Sequence, residues 1–293
     1  MNEVFLVATE ERRVVLRKHR RHEYPQVAFE HEVIRHAQSR GIPTPMAIPS
    51  RSGDIIAEQD GSYYSLFTFA AGEQVAREKL TAEHGRAMGE MAARLHLALA
   101  DYTIAAPTQR PDRNDPGALI DKIGIVLERI DAVAQPTEQD GWAHQHLTSK
   151  AEWLRKHPLP TRPTTTAEDF QLLHGDFLHH NLFFADGQVS DVIDWDKARS
   201  RVPAHEIVRC FDHSFGARPE MCVAMLDGYR SIRPLSLDDL DRSAQYWFAQ
   251  ELGNLWVYEG IYLRGDDRLR VFLEPGPYVP FSDRWAAVRS ELV

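Results

Sequence analysis

Residues 171–196 read QLLHGDFLHHNLFFADGQVSDVIDWD. Asp186-Gly187, in the middle, is the kind of two-residue turn whose backbone twist matches that of paired strands. NLFFA before it and QVSDVID after it are rich in β-branched and aromatic residues, so the stretch predicts an antiparallel hairpin. That turn sets Ala185 opposite Gln188, Phe183 opposite Ser190 and Asn181 opposite Val192. Asp194, two residues beyond Val192, then shares a face with Asn181 as its diagonal neighbour, roughly 7–8 Å away at the backbone. The other face carries Leu182, Phe184, Val189 and Ile193, an apolar set broken by Asp191. An amide oxygen and a carboxylate are gathered at one end of the hairpin, with Asp176 on the loop before them.

Those residue types limit the chemistry. Hard oxygen ligands in small number suit Mg²⁺, which takes a few protein oxygens together with substrate phosphates. Asp176 is left to accept a proton from an incoming hydroxyl. Aspartate, asparagine five positions later, and aspartate at the end of the next strand is the order found in phosphoryl transfer. A zinc site built from His174, His179, His180 and Asp176 is the competing reading. It is the weaker one, because His-x4-His-His is not a ligand spacing and adjacent residues of an extended chain point to opposite faces.

Working outward, the chain has 293 residues, 43% apolar and 26% charged, which fits an ordinary globular protein large enough for two lobes. Its formal charge of −9 argues against a nucleic-acid surface. Two cysteines, Cys210 and Cys222, make neither a disulfide framework nor a metal-ligand spacing. The opening MNEVFLVATEERRVV lacks the apolar core of a signal peptide, and no apolar run is of membrane-spanning length. A reduced cytoplasm is the expected location, with no nucleic acid and no membrane as partner.

NEVFLV and RRVVLRKH read as a hairpin joined by ATEE, QVAFEHEVIRHAQSR as a helix ending at Gly41, and SYYSLFTF as a strand. From Leu80 the pattern turns helical. Met88, Met91, Ala92 and Leu95 form an apolar stripe on a helix with Thr81 as its N-cap. Further helices are expected near 117–134, 141–156, 203–214, 217–231, 237–263 and from about 282. The domain boundary is placed near Gly72.

His174-Gly-Asp176, Asn181 and Val192-Ile-Asp194-Trp195, taken together, resemble the signature of the aminoglycoside phosphotransferase, choline kinase and homoserine kinase family. Leu95-His96 within MAARLH and the run GIPTP extend the likeness from near Asn2 to about residue 215; the last eighty residues match only as helices. The resemblance implies an α+β, two-lobed protein-kinase-like fold. Residues 1–72 would be a small β-rich nucleotide-binding lobe, and 73–293 a mainly helical lobe with the catalytic hairpin 174–196 and the acceptor pocket. It implies ATP and Mg²⁺ as cofactors, a small-molecule hydroxyl as acceptor, Asp176 as the catalytic residue, and Asn181 and Asp194 as metal ligands. His174 would order the catalytic loop, and Glu206 stands where the family usually has an aspartate that braces it.

Strand VVLR would offer a cation to the nucleotide phosphates. Periodicity cannot choose between Arg17 and Lys18; the resemblance favours Arg17, aligned with the lysine of the kinase V-A-I-K strand. Glu30 shares its helical face with Val33, Ile34 and Ala37, whereas Glu32 lies with Arg35, His36 and Ser39, so Glu30 is the expected partner of Arg17. Backbone groups of Thr68 to Ala70 match the adenine-binding segment. No glycine precedes Gly41, and Asn2 matches the asparagine that follows the family's glycine-rich loop. Three readings stay open: a start farther upstream, a bare upper lid over ATP, or a catalytically inactive nucleotide-binding relative. A metal-dependent hydrolase is a more distant alternative.

The acceptor is not specified by these motifs: amino alcohol, amino sugar and hydroxy amino acid all remain open. AQYWFAQELGNLWVYEGIY combines aromatic rings with acids, as a quaternary ammonium pocket would, although aromatic core packing is the plainer reading.

Overall fold

The computed structural model describes residues 2–8, 12–19, 23–103, 115–160, 163 and 169–292. Among them the opening runs pair as the alternation predicts: β1 (Glu3–Ala8) lies antiparallel to β2 (Arg13–His19), from Glu3 opposite Lys18 to Ala8 opposite Arg13. Short strands β3 (Ala47–Ile48) and β4 (Ala57–Gln59) both pair with β5 (Ser62–Thr68), and β5 pairs with β2. The result is an antiparallel sheet in the order β1-β2-β5-β3. β1 is its edge and leaves Val4, Phe5, Leu6 and Val7 exposed.

Helix α1 (Tyr24–Ser39) follows β2, with Glu23 and Gln26 capping each other's backbone, and buries Val27, Val33, Ile34 and Ala37 together with Glu30 and His31. It stops where Gly41 takes φ +80°, a conformation glycine adopts without steric cost. Helix α2 (Ala82–Leu99) has the predicted Thr81 cap, which accepts the His84 amide.

β6 (Gln171–Leu173) pairs with β9 (Arg199–Arg201), and β7 (Leu182–Ala185) with β8 (Gln188–Val192). Helices α5 (Pro203–His213) and α6 (Pro219–Arg230) follow. α2 and α6 cross closely because glycine stands at the contact on both. A Cβ on Gly89 would strike the Met225 carbonyl, and one on Gly228 the Arg86 carbonyl.

The β7–β8 hairpin corrects one expectation. The turn is as predicted, with Asp186 and Gly187 both at positive φ and Ala185 opposite Gln188. Between Phe183 and Phe184 the register shifts, so Phe183 faces Asp191 and Leu182 faces Val192. Asn181 is therefore not paired with Val192; it closes a 3-10 turn at His179–Asn181. The residue inserted by this bulge is Ser190, whose hydroxyl donates to the Ala71 carbonyl at 2.6 Å. Asp191, the polar break in the apolar face, accepts the Ala71 amide at 2.6 Å. Glu73 and Phe184 exchange backbone bonds of 3.0 and 2.8 Å. The bulge thus fastens the segment around Gly72 to the hairpin.

By contacts the chain divides into two compact units, Met1–Pro107 with Thr165–Leu240 and Ser290–Val293, and Thr108–Thr164 with Asp241–Arg289. Gly72 lies inside the first. The second unit holds α3 (Pro116–Asp131), α4 (Glu138–Lys156), most of α7 (Leu237–Leu252), α8 (Trp256–Arg264) and α9 (Phe281–Arg289). The single helix expected over 237–263 is two, separated at Gly253–Leu255, where the Asn254 side chain accepts the Trp256 amide at 3.3 Å. Glycine and asparagine are both poor in helix interiors, asparagine because its side chain competes for backbone groups.

In the second unit one acid of the aromatic run, Glu251, finds a cation within the protein. Glu251 is bonded by the Tyr278 hydroxyl at 2.7 Å and lies 3.7 Å from the Lys150 ammonium, which sits 5.0 Å from the Tyr278 ring centre. The protein's own lysine provides the ammonium for this acid and ring. No helix of the described residues is long and apolar enough to cross a membrane.

Candidate active site

Asp176 lies on the loop between β6 and the 3-10 turn, and that loop is held from three sides. His174 is fully buried; its Nε2–H donates to the Ile193 carbonyl at 3.0 Å and its Nδ1 accepts the Asp176 amide at 3.2 Å. Burial pushes its pKa down, which keeps the ring neutral as this tautomer requires. With both ring nitrogens engaged, His174 has none to give a metal, and the zinc reading loses its first ligand. His179 Nδ1 is likewise within 3.2 Å of the Ser214 hydroxyl.

Gly175 takes φ +81°, and a Cβ there would collide with the Lys197 carbonyl. Its amide donates to Glu206 Oε1 at 2.7 Å, while Glu206 Oε2 meets His96 Nε2 at 3.0 Å. His96 Nδ1 in turn lies 2.9 Å from the Tyr229 hydroxyl. Burial pushes the Glu206 pKa up, but the bonds from His96 and Gly175 outweigh it and hold the carboxyl below its ordinary value. The Leu95-His96 pair of the sequence motif thus supports the loop through Glu206.

Asn181 is buried, and its Nδ2 donates to the Asp176 carbonyl at 2.8 Å, which leaves its side-chain oxygen as the available acceptor. Its own carbonyl takes the Ile193 amide at 2.9 Å. Ile193 is therefore tied to Asn181 through its N–H and to His174 through its C=O. Asp194, next along, has φ +65° and ψ +65°, left-handed backbone that costs a non-glycine residue on the order of 1 kcal/mol. Trp195 anchors this turn: buried beside His174, it donates from Nε1 to the Thr44 hydroxyl at 3.1 Å. The Pro43 carbonyl accepts the Val192 amide at 2.9 Å, so the GIPTP run holds the hairpin in place.

From the sheet, Arg17 enters the same site. Nη1 reaches Glu30 at 2.6 Å, and Nη2 reaches Asp194 at 2.8 Å and Asp196 at 3.7 Å. Lys18 points elsewhere, 4.0 Å from Glu3 and over the Tyr64 ring, so of the two cations Arg17 is the one beside Glu30 and Asp194. Glu32 is on the outer side, within 3.5 Å of the Tyr102 hydroxyl. Burial raises the Glu30 pKa to about 7, although Arg17 pulls it down.

At Thr68 the structure limits which backbone group is open. Its amide donates to the Met46 carbonyl and its hydroxyl accepts the Met46 amide, both at 2.9 Å, so the Thr68 N–H is not a donor open to a base. Ala70 is buried just beyond it, and Phe69 is partly exposed.

Sequence reasoning missed Arg209. It donates to the Gly175 carbonyl at 3.0 Å and to Asp176 Oδ1 at 2.6 Å. Burial pushes the Asp176 pKa up, yet the charge and hydrogen bond of Arg209 bring it below the ordinary carboxylate value. A signal was present: Arg209 follows Glu206 by three residues on one helix, so both lie on the same face. Among the described residues no group of three or more histidine, cysteine, aspartate or glutamate side chains is arranged to hold a metal ion.

A sheet-borne arginine paired to a helix glutamate, with a braced aspartate loop and an acid-tipped hairpin, defines the kinase-like class of phosphotransferase folds. Residues 1–246 match the phosphotransferase enzyme family, APH, and the chain belongs to that family. It is 23% identical over 214 residues to a homoserine kinase of Agrobacterium fabrum, covering 71% of this chain and 61% of that one. It thus spans about three-fifths of the length of that relative. A spectinomycin phosphotransferase solved in complex with ADP and spectinomycin superposes with a TM-score of 0.66 at 10% identity, over 99% of this chain and 90% of that one. An amicoumacin kinase solved with AMP-PNP and Ca²⁺ gives 0.57 at 15% identity, over 96% and 89%. The fold is α+β and kinase-like, an N-terminal antiparallel sheet followed by a mainly helical remainder.

Proposed function

We propose that this chain transfers the γ-phosphoryl group of ATP to a hydroxyl of a small molecule, with residues 1–72 and the hairpin 174–196 forming the nucleotide side. The observation that carries the reading is Arg17, bonded at once to Glu30 and to Asp194. It joins the sheet to the hairpin where phosphates would need charge. Asp176 accepts the proton of the acceptor hydroxyl. Its carboxylate is ionised at neutral pH because Arg209 outweighs its burial. Arg17, oriented by Glu30, neutralises charge on the nucleotide phosphates, and the backbone from Thr68 to Ala70, the Thr68 amide excepted, meets the adenine. His174 and Glu206 hold the loop in register, so their contribution is positioning.

Asn181 and Asp194 would hold Mg²⁺, and the donor set fits. Both offer hard oxygens, and the acids around Arg17 (Glu30, Asp194 and Asp196) face Arg17 and, 3.7 Å from Asp196, Lys197, which leaves a surplus of at most one negative charge beside the proposed ligands. When bound, the ion would supply neutralisation of the phosphate charge. The nucleotides held by the two solved relatives support ATP as the donor.

The test is ADP release against a panel of hydroxyl compounds, with Asp176→Asn as control. Turnover by the wild type that falls by roughly a hundredfold or more in the variant is the expected outcome. Equal rates would remove Asp176 from its role. A second reading, nucleotide binding without transfer, is favoured by one feature: Asp176 and Asp194 are both already paired to arginines. It predicts a thermal shift with Mg-AMP-PNP and no ADP release with any acceptor.

A further inference from the structure

A buried polar cluster stands behind Arg17, between the sheet and α1. Ser65 lies opposite Arg17 in the pairing of β5 with β2, and His19 is two residues beyond Arg17, so all three share one face of the sheet. From α1 come Glu30 and its neighbour His31. None of the five is more than 8% exposed. The Ser65 hydroxyl oxygen is 2.8 Å from His31 Nε2 and 3.1 Å from His19 Nε2, and His19 Nδ1 is 3.9 Å from Glu30 Oε2. The His31 ring also stacks on Phe67, with centres 5.4 Å apart and planes 4° from parallel, which fixes where its Nε2 points. Arg17 holds the other Glu30 oxygen at 2.6 Å. Contacts therefore lead from His31 through Ser65 and His19 to Glu30 and Arg17.

The two rings cannot use Ser65 in the same way. A hydroxyl has one proton, so it donates to one neutral imidazole and accepts from the other. An ionised Glu30 selects between the two orders. Its Oε2 favours a proton on His19 Nδ1, which leaves His19 Nε2 to accept from Ser65 and His31 Nε2–H to donate to Ser65. The opposite order turns a nitrogen lone pair of His19 towards the carboxylate. Burial and the charge of Arg17 lower the His31 pKa to about 4, so that ring is neutral, as the first order needs. We propose that Ser65, His19 and His31 are positioning residues for nucleotide binding: a proton-ordered relay that holds the Glu30 carboxylate ionised and in place, so that Glu30 aims Arg17 at the phosphates. The proposal rests on the reading of Arg17 as the cation that meets the nucleotide phosphates.

Nucleotide affinity and stability provide the test, and neither needs turnover. In calorimetry with Mg-AMP-PNP, Ser65→Ala should weaken binding by about five- to tenfold, the scale of one buried hydrogen bond. Ser65→Thr keeps the hydroxyl on a strand that suits β-branched residues, and should stay within about twofold of wild type. His31→Phe keeps a ring against Phe67 but removes the donor, and should weaken binding in the same direction as Ser65→Ala. In a Glu30→Gln background there is no carboxylate to hold, so Ser65→Ala should change affinity by less than about twofold. Urea denaturation runs the same cycle without nucleotide: the fall in midpoint caused by Ser65→Ala should be smaller beside Glu30→Gln than in the wild type.

Unchanged affinity in Ser65→Ala would overturn the proposal while leaving the nucleotide site intact. So would equal weakening in the wild-type and Glu30→Gln backgrounds, because the hydroxyl would then act independently of Glu30. A Ser65→Thr variant with the wild-type Tm that binds as weakly as Ser65→Ala would also overturn it. If the wild type binds no nucleotide, yet the stability cycle shows the coupling, the relay to Glu30 stands and the reading of Arg17 as a phosphate-binding cation fails. A stability cycle without coupling overturns the relay whatever binds.

Discussion

Glu206 Oε1 accepts the Gly175 amide at 2.7 Å, one residue before Asp176, and the same carboxylate holds His96 with its second oxygen. Both bonds are buried, so the side chain cannot be removed without leaving two donors unsatisfied. Glu206→Ala is expected to lower stability by about 2–6 kcal/mol, about 1–3 kcal/mol for each buried donor left unsatisfied. Glu206→Gln keeps an oxygen for Gly175 and should cost less, about 1–2 kcal/mol. Urea denaturation of the two variants checks the order; equal losses would mean that the Gly175 bond contributes little.

Glu30 makes stability depend on pH near neutrality. Its pKa rises from 4.5 to about 7 because burial disfavours the charged form more than Arg17 favours it. A carboxyl raised on folding keeps its proton in the native chain over a range where the unfolded chain has lost it. Between about 4.5 and 7 the native state binds more protons, so this contribution is present at low pH and stability falls as pH rises through the window. The full change is on the order of 3 kcal/mol at most. Denaturation midpoints at pH 5 and pH 7.5, in wild type and Glu30→Gln, should show the difference shrinking in the variant. An unchanged difference would assign the slope to other groups.

How much of this was legible in the sequence depends on the range of the interaction. The Asp186-Gly187 turn and the Thr81 cap follow from local chemistry, and the pairing of Arg17 with Glu30 from helical periodicity, which picks Glu30, joined to the family resemblance, which picks Arg17; the structure contains each of them. The hairpin register failed at Ser190 because the bulge answers a demand from residues more than a hundred positions away, the carbonyl and amide of Ala71. Arg209 was passed over for a similar reason. Its helical face could be read, but Asp176 reaches it only through the fold of the intervening loop. At Thr68 the amide is taken by the Met46 carbonyl, a pairing between distant segments that the local sequence does not signal.

Gly89 tests whether the crossing of α2 and α6 needs the absence of a side chain. A methyl group at this position would overlap the Met225 carbonyl, and backbone at a helix contact cannot yield as a flexible side chain does. Gly89→Ala improves helix propensity by about 1 kcal/mol, but overpacking of this kind typically costs about 1–3 kcal/mol or more. The net expectation is a loss of stability, read as a lower Tm. A control at Gly124, where an added Cβ would meet nothing within 4 Å, should gain from the same change. Stabilisation at both sites would show that the helices separate at no cost.

Lys150 is buried, with its ammonium 3.0 Å from the Glu251 carbonyl, 3.7 Å from the Glu251 carboxylate and 5.0 Å from the Tyr278 ring centre. Burial pushes its pKa down and Glu251 pushes it back up, so the charge of the lysine depends on this acid. Lys150→Met leaves the partly buried Glu251 with its bond from Tyr278 but without its cation and should destabilise by about 1–3 kcal/mol. Lys150→Met combined with Glu251→Gln removes both charges and should recover at least half of that loss, a coupling that a double-mutant cycle measures directly. The single variant also vacates the ammonium position beside this acid and ring. Added choline should therefore leave the wild-type Tm unchanged and raise that of Lys150→Met, while a shift in the wild type would mean that a cation site exists alongside the lysine.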